Sequence, residues 1–252
     1  MKLFFKKIIP RFIWKSARVI YVYVLRLFTN ILQTSSFSHP ADWIRVFLLV
    51  RKVRPDYTMV RPPRLRVLYE LSKKINLEGI SGDIVECGVY NGGSAAMMAK
   101  PQSFSGTRNI WLFDSFEGLP PPTENDGSYE RDNYFKGWCE GSIEKVEEIF
   151  RKLQLPSERL HIVKGWFEDT LPREAQKIGQ IALLHIDADW YESVKICLET
   201  LYPKISKGGY IEIDDYGKWE GCRKAVDEYL SSHNIQVEFK TRDNSGYYFK
   251  KP

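Results

Sequence analysis

The 252-residue chain carries 37 Lys and Arg against 32 Asp and Glu, with 43% hydrophobic and 27% charged residues. That balance excludes a disordered chain and leaves room for one sizeable domain with a small addition. Residues 1–41 hold seven basic residues and no acid, so the rest of the chain has 30 bases against 32 acids and no electrostatic footprint for nucleic acid.

Residues 11–28 place Arg11, Lys15, Arg18 and Arg26 in one arc of a helical wheel, with Phe12, Ile13, Trp14 and the run from Val19 to Leu25 filling much of the rest. This pattern predicts a basic, aromatic-rich helix. Such a helix suits an anionic membrane interface, but equally the chain's own domain or a second subunit of a homo-oligomer. Ser35, Ser36, Ser38 and Pro40 read as a linker. The expected division is therefore an arm over 1–41 and a domain over 42–252. Charge interrupts the first 30 residues too often for a secretory signal. Cys87, Cys139, Cys197 and Cys222 have no Cys-x-x-Cys spacing and fit a reducing compartment, so the expectation is a cytoplasmic protein.

After a helix near Leu65–Ile75 the chain alternates. Strand-like runs occur at Ile84–Cys87, Ile110–Phe113, Leu160–Val163, Ile181–Ile186 and Tyr210–Ile213. Helical patterns lie around Ser94–Lys100, Ile143–Leu153, Ser193–Ile205 and Cys222–Ser231. This rhythm predicts an α/β fold, a mostly parallel sheet with helices on both faces. Ile235–Phe239, a turn at Asp243-Asn244-Ser245-Gly246, and Tyr247–Lys250 predict a C-terminal antiparallel hairpin. Phe116 to Trp138, with Pro120-Pro121-Pro122 and five aromatics, reads as a long loop covering an acceptor.

Three segments carry chemistry. Asp83 to Ser94 is a short strand ending in Glu86-Cys87-Gly88, followed by Gly92-Gly93 opening a helix. Ligands bind outside the carboxyl ends of such strands, where glycine lets the backbone approach closely. The candidate cofactor contacts here are Glu86, Gly88, Asn91, Gly92 and Ser94. Gly88 is followed by three residues before Gly92, so the dinucleotide fingerprint is absent. A cofactor without pyrophosphate, carrying a sulfonium and an amino-acid end, fits better; a plain tight turn would give the same letters. Asp114 ends the second strand and suits two ribose hydroxyls, or equally a helix cap.

The third segment is a pair of acid clusters: Asp187-Ala188-Asp189 ends one strand and Asp214-Asp215 the next. Four carboxylates at one sheet edge repel one another, and no Lys or Arg lies within either segment. A hard divalent cation with oxygen ligands resolves the repulsion, and the scarcity of His and lack of Cys at these positions argue against zinc.

From Tyr57-Thr58-Met59 to the C-terminus the chain resembles the macrocin-type O-methyltransferases. The shared marks are Glu86-Cys87-Gly88-Val89 with Gly92-Gly93, Asp114 to Pro120, Lys164-Gly165-Trp166-Phe167 with Asp169 to Pro172, Asp187 to Ser193, and Gly208-Gly209-Tyr210 leading to Asp214-Asp215-Tyr216. The resemblance implies a Rossmann-like methyltransferase sheet, S-adenosylmethionine, a magnesium ion and methyl transfer to a hydroxyl, often of a sugar in a glycan, glycolipid or glycosylated metabolite. It implies Asp187, Asp214 and Asp215 as metal ligands, and Glu86, Gly88, Asp114, Ser115, Gly165 and Trp166 as cofactor contacts. Trp190 replaces a usually smaller apolar residue, and the basic arm is not part of the pattern.

Asp187 is the expected catalytic residue, holding the cation and taking the proton, with Asp189 supporting it and His185 an alternative base. Two other functions fit parts of the sequence. A metal-dependent glycosyltransferase would use Asp187-Ala188-Asp189 for a nucleotide-sugar diphosphate but leaves Glu86 to Gly93 and Asp214-Asp215 unexplained. An inactive, membrane-associated binding protein of the same fold leaves the intact acids unexplained.

Overall fold

The computed structural model describes residues 40–103 and 107–252. The expected helix over 11–28 and most of the linker lie outside the described residues. Pro40 belongs to a helix instead, α1 (Pro40–Val53), which sequence patterning did not announce. Residues 48–252 form one compact unit.

In chain order that unit contains α2 (Pro62–Leu77), β1 (Asp83–Cys87), α3 (Gly93–Gln102), β2 (Ile110–Asp114), α4 (Ser128–Asn133), α5 (Ile143–Lys152), β3 (Leu160–Lys164), α6 (Phe167–Glu174), β4 (Ile181–Ile186), α7 (Tyr191–Leu201), β5 (Ile205–Ile213), α8 (Glu220–Ser232), β6 (Lys240–Thr241) and β7 (Tyr247–Lys250). Pro62 and Pro63 open α2, where a missing N–H costs nothing, and Leu65, Leu68, Leu71 and Ile75 supply its buried stripe. Ser142 caps α5 by accepting from the Lys145 amide at 3.4 Å.

The seven strands run in the order β3-β2-β1-β4-β5-β7-β6, parallel except for β7, which is antiparallel to both β5 and β6. Chain order reverses direction between β1 and β4, and the crevice outside the carboxyl ends of those strands is where an open α/β sheet binds ligands. Central strands are buried on both faces, which explains their continuous apolar runs.

Three boundaries differ from the sequence-based expectation. The helix expected over Ser193–Ile205 stops at Leu201; a 3-10 turn over Tyr202–Lys204 contains Pro203, which has no N–H to extend the ladder, and Ile205 already pairs with Ile181. β5 consequently starts five residues before Tyr210 and includes Gly208 and Gly209. The first arm of the hairpin is only Lys240–Thr241. Ile235, Val237 and Phe239 pack against the core by side chain without joining the ladder.

Candidate active site

Cys87, Asp114, Ile186 and Ile213 end four neighbouring parallel strands, so the residues that follow them share one rim. The rim and the loops above it enclose a cavity of about 230 Å³. Of the residues marked from sequence, Gly88, Asp114, Ser115, Gly165, Trp166, Asp187, Asp214 and Asp215 line it. Three non-glycine residues of the lining, Tyr90, Cys139 and Asp189, have positive φ.

Four marked residues are placed elsewhere. Glu86 is fully buried in the body of β1, and Ser94 is buried in the first turn of α3. Gly92 lies where a Cβ would crowd Val146 of α5 at 3.1 Å. Asn91 donates to the Asp56 carbonyl at 3.1 Å and accepts from the Ser142 amide at 3.0 Å, so its side chain stitches three segments together.

Asp114 accepts from the amides of Val89 at 2.6 Å, Tyr90 at 2.9 Å and Phe116 at 2.7 Å. Burial pushes its carboxyl up and these amides oppose the push. A carboxylate has about four acceptor positions, so one is left for an incoming hydroxyl.

One oxygen from each of Asp187, Asp214 and Asp215 falls within a common 4.8 Å. Asp214 and Asp215 are buried, and Oδ1 of Asp214 has no hydrogen-bond partner. Burial first, then the neighbouring carboxylates, hold Asp187 and Asp214 well above the usual carboxylate range. Burial also raises Asp215, against the opposing pull of Arg64 and Lys218. Asp189 accepts from Trp219 Nε1 at 2.7 Å and is pushed up to about 8 by burial and by Asp215. An orphaned, buried carboxylate oxygen among like charges is a set of hard donors that fits a magnesium-class cation.

Sequence spacing placed no cation among these acids, and the structure corrects that. Arg64, in the first turn of α2, donates to Asp214 Oδ2 and, at 2.9 Å, to the Asp214 carbonyl. Lys218 also lines the cavity, its Nζ lying 3.8 Å above the Trp219 ring. Arg64 carried one signal: with Leu68, Leu71 and Ile75 it falls on the apolar stripe of α2 rather than on the solvent face.

His185 is not in the cavity. It lies fully buried in β4, directly across from Glu86 on β1 and Glu212 on β5. Its Nδ1 is 2.8 Å from Glu86 Oε1 and its Nε2 is 2.9 Å from Glu212 Oε2. Burial disfavours the imidazolium, but the two glutamates prevail and lift its pKa well above the ordinary value. A histidine sealed between two carboxylates has no route to a substrate proton, which removes it as a base.

The Phe116 to Trp138 segment contains one short helix, α4, and is tied down on one side. Trp190 Nε1 donates to the Pro120 carbonyl at 2.9 Å, and Asp126 Oδ1 accepts from the Tyr191 amide at 2.8 Å. Trp190 meets Trp138 and Trp219 edge-on at 5.9 and 5.8 Å, forming an aromatic wall. The larger residue at 190 is therefore spent on holding the loop.

A family model described as macrocin-O-methyltransferase (TylF) matches residues 41–251. The demethyldecarbamoylnovobiocin O-methyltransferase of Streptomyces niveus is 35% identical over 202 residues, 77% of this chain and 76% of its own. The mycinamicin III 3''-O-methyltransferase of Micromonospora griseorubida is 30% identical over 203 residues, 77% of this chain and 78% of its own. Among solved structures, the O-methyltransferase NovP superposes with a TM-score of 0.74 at 30% identity, over 82% of this chain and 98% of its own. The calicheamicin methyltransferase CalS11, at 19% identity and a TM-score of 0.61 over 87% of this chain and 96% of its own, shares the fold.

Proposed function

As a member of the macrocin-type O-methyltransferase family, this chain is an O-methyltransferase, and we propose that it moves the methyl group of S-adenosylmethionine to a sugar hydroxyl of a glycosylated small molecule with the help of a divalent cation. The observation that carries this reading is the meeting of Asp187, Asp214 and Asp215 around an unpartnered buried oxygen, in the same cavity as Gly88 and Asp114. A third relative, the 8-demethyl-8-(2,3-dimethoxy-alpha-L-rhamnosyl)-tetracenomycin-C 4'-O-methyltransferase of Streptomyces olivaceus, 33% identical over 199 residues, carries a rhamnosyl group in the name of its acceptor, which supports a glycosylated acceptor here.

Methyl transfer is an in-line displacement, so the protein's work is alignment. Gly88, Asp114, Ser115, Gly165 and Trp166 line the side of the cavity assigned to the cofactor, with Asp114 offering its free acceptor position to a ribose hydroxyl. Asp187, Asp214 and Asp215 would hold the cation, which when bound lowers the pKa of an acceptor hydroxyl and fixes its direction. Asp187 takes the proton, and Trp219 holds Asp189 beside it. Pro120, Leu119 and Trp138 close the cavity from the loop and keep water from the reacting centre.

The charge of the cavity favours this reading over a nucleotide-sugar glycosyltransferase. Its lining includes Asp114, Glu168, Asp187, Asp189, Asp214 and Asp215 against Arg64 and Lys218. A sulfonium suits that balance directly, whereas a diphosphate would need a cation to bridge it to the same acids. Among the described residues no helix is long and apolar enough to cross a membrane. The basic residues of 1–30 would supply reversible contact with an anionic surface, which liposome sedimentation of the full chain against one starting near Ser38 tests.

Calorimetric titration tests the core of the proposal. S-adenosylmethionine should bind and nucleotide-sugars should not, and mass spectrometry with labelled cofactor should find label on glycosylated metabolites. Binding of a nucleotide-sugar in place of S-adenosylmethionine would overturn it.

A further inference from the structure

Among the described residues, Arg64 is the one buried arginine of the cavity wall, and nothing about the acid cluster itself requires an arginine there. Its Nη1 grips Asp214 twice, through Oδ2 and through the main-chain carbonyl. Its Nε lies 3.1 Å from Oδ2 of Asp243, at the turn between β6 and β7. Asp243 is itself fixed, because its Oδ1 accepts from the amides of Ser245 at 3.1 Å and Gly246 at 3.2 Å. Gly246 leaves the passage open: a Cβ there would overlap Arg64 Cδ and lie 2.6 Å from Glu212 Oε1. A turn of the C-terminal hairpin thus anchors a guanidinium that holds a carboxylate at the end of β5.

We propose that Arg64 is a positioning residue which, braced by Asp243, occupies Oδ2 of Asp214 so that Oδ1 faces Asp187 and Asp215. The inference rests on reading the acid cluster as a cation site. A carboxylate with one oxygen committed to a guanidinium offers the other in one direction only, so Asp214 serves as a monodentate ligand. Residues that orient ligands in this way typically contribute about 10–100-fold in metal affinity. A guanidinium that merely balanced charge would act in the opposite sense, since it competes with the cation for the same acids.

The test is calorimetric titration of Mn²⁺ and Mg²⁺ into the full chain and into its Arg64→Met, Arg64→Lys and Asp243→Asn variants, with thermal unfolding recorded for each. Wild type must bind a cation; if it binds none, the reading of the acid cluster fails before Arg64 is reached. Given wild-type binding, Arg64→Met should weaken affinity by about 10–100-fold. Arg64→Lys should recover part of that loss, because it restores charge with a single donor direction. Asp243→Asn leaves the Nη1 contacts in place and should weaken binding several-fold. Unchanged or tighter binding by folded Arg64→Met overturns the proposal. Should that variant fail to fold, unchanged affinity in both Arg64→Lys and Asp243→Asn overturns it equally.

Discussion

Gly88 and Asp187 abut backbone to backbone: a Cβ at Gly88 would overlap the Asp187 carbonyl oxygen. The contact arises because β1 and β4 are neighbours and their ends continue in parallel, with the Asp187 amide donating to the Cys87 carbonyl at 2.8 Å. Gly88 also has φ +87, which an L side chain rarely adopts. Its first requirement is thus the close approach of the end of β4, which carries Asp187. Gly88→Ala should cost at least about 2–3 kcal/mol in urea denaturation, from strain together with displacement of the Asp187 backbone. It should also weaken Mn²⁺ binding, although Gly88 touches no cation. A variant with wild-type stability and affinity would show that the two strand ends part freely.

That contact shows what the sequence could carry and what it could not. The acid pairs were legible because Asp187-Ala188-Asp189 and Asp214-Asp215 directly follow apolar runs, and strand ends fix where the next residues lie. Glu86, His185 and Glu212 each occupy the same place relative to the end of their strand, but strand order and register were needed to make them one row. Arg64 escaped because its partner is 150 positions away and no local period reports such a distance. Asn91 and Gly92 were marked for a ligand; their letters alone cannot separate a cofactor loop from a loop stitched to Asp56 and Ser142.

The Glu86–His185–Glu212 row is a buried charge arrangement that one substitution unbalances. His185→Gln removes the cation and leaves two buried glutamates facing it, so the fold should lose about 3–5 kcal/mol at neutral pH. Glu86→Gln combined with His185→Gln should return part of the loss. A histidine pKa raised on folding contributes in full below its ordinary value of 6.5 and is lost as pH rises through the higher folded value. The gap between wild type and His185→Gln should therefore narrow as pH rises through that folded value. A gap that vanished below pH 6.5 would mean that the imidazole is neutral in the folded protein.

The acid cluster has its own pH dependence. Asp187 and Asp214 are raised by burial and by neighbouring carboxylates, Asp215 is raised by burial against the pull of Arg64 and Lys218, and Asp189 is pushed up to about 8 by burial and by Asp215. Groups raised on folding favour the fold most below their ordinary carboxylate values and lose that contribution as pH climbs, for Asp189 through about 8. A cation must displace the same protons, so its hold strengthens as pH rises. Saturating Mg²⁺ should raise the unfolding temperature more at about pH 8.5 than at about pH 6, and should not raise it in Asp187→Asn. Chelator should abolish methyl transfer and Mg²⁺ restore it. Full turnover in excess chelator would remove the cation from the mechanism.

Asp126 fixes the loop above the cavity, and it does so from a distance of 65 residues along the chain. Its Oδ1 caps the first amide of α7, and its Oδ2 accepts from the Thr123 amide at 2.7 Å and hydroxyl at 3.2 Å. A buried carboxylate at a helix N-terminus satisfies an orphan donor and meets the positive end of the helix dipole. Gly221 of α8 makes room for it, since a Cβ there would overlap Asp126 Oδ1. Asp126→Ala should cost about 1–2 kcal/mol, the usual loss for a cap, while Asp126→Asn should cost less because an amide oxygen still accepts. The functional effect should separate from the stability effect. Freeing residues 120–127 loosens Pro120 and Leu119 over the acceptor side of the cavity, while Gly88 and Asp114 are untouched. The Michaelis constant for the acceptor should therefore rise in Asp126→Ala, and the affinity for S-adenosylmethionine should hold. Limited proteolysis should cut the variant between residues 120 and 127 sooner than wild type. Equal rises for acceptor and cofactor would mean that Asp126 supports the whole rim rather than the loop.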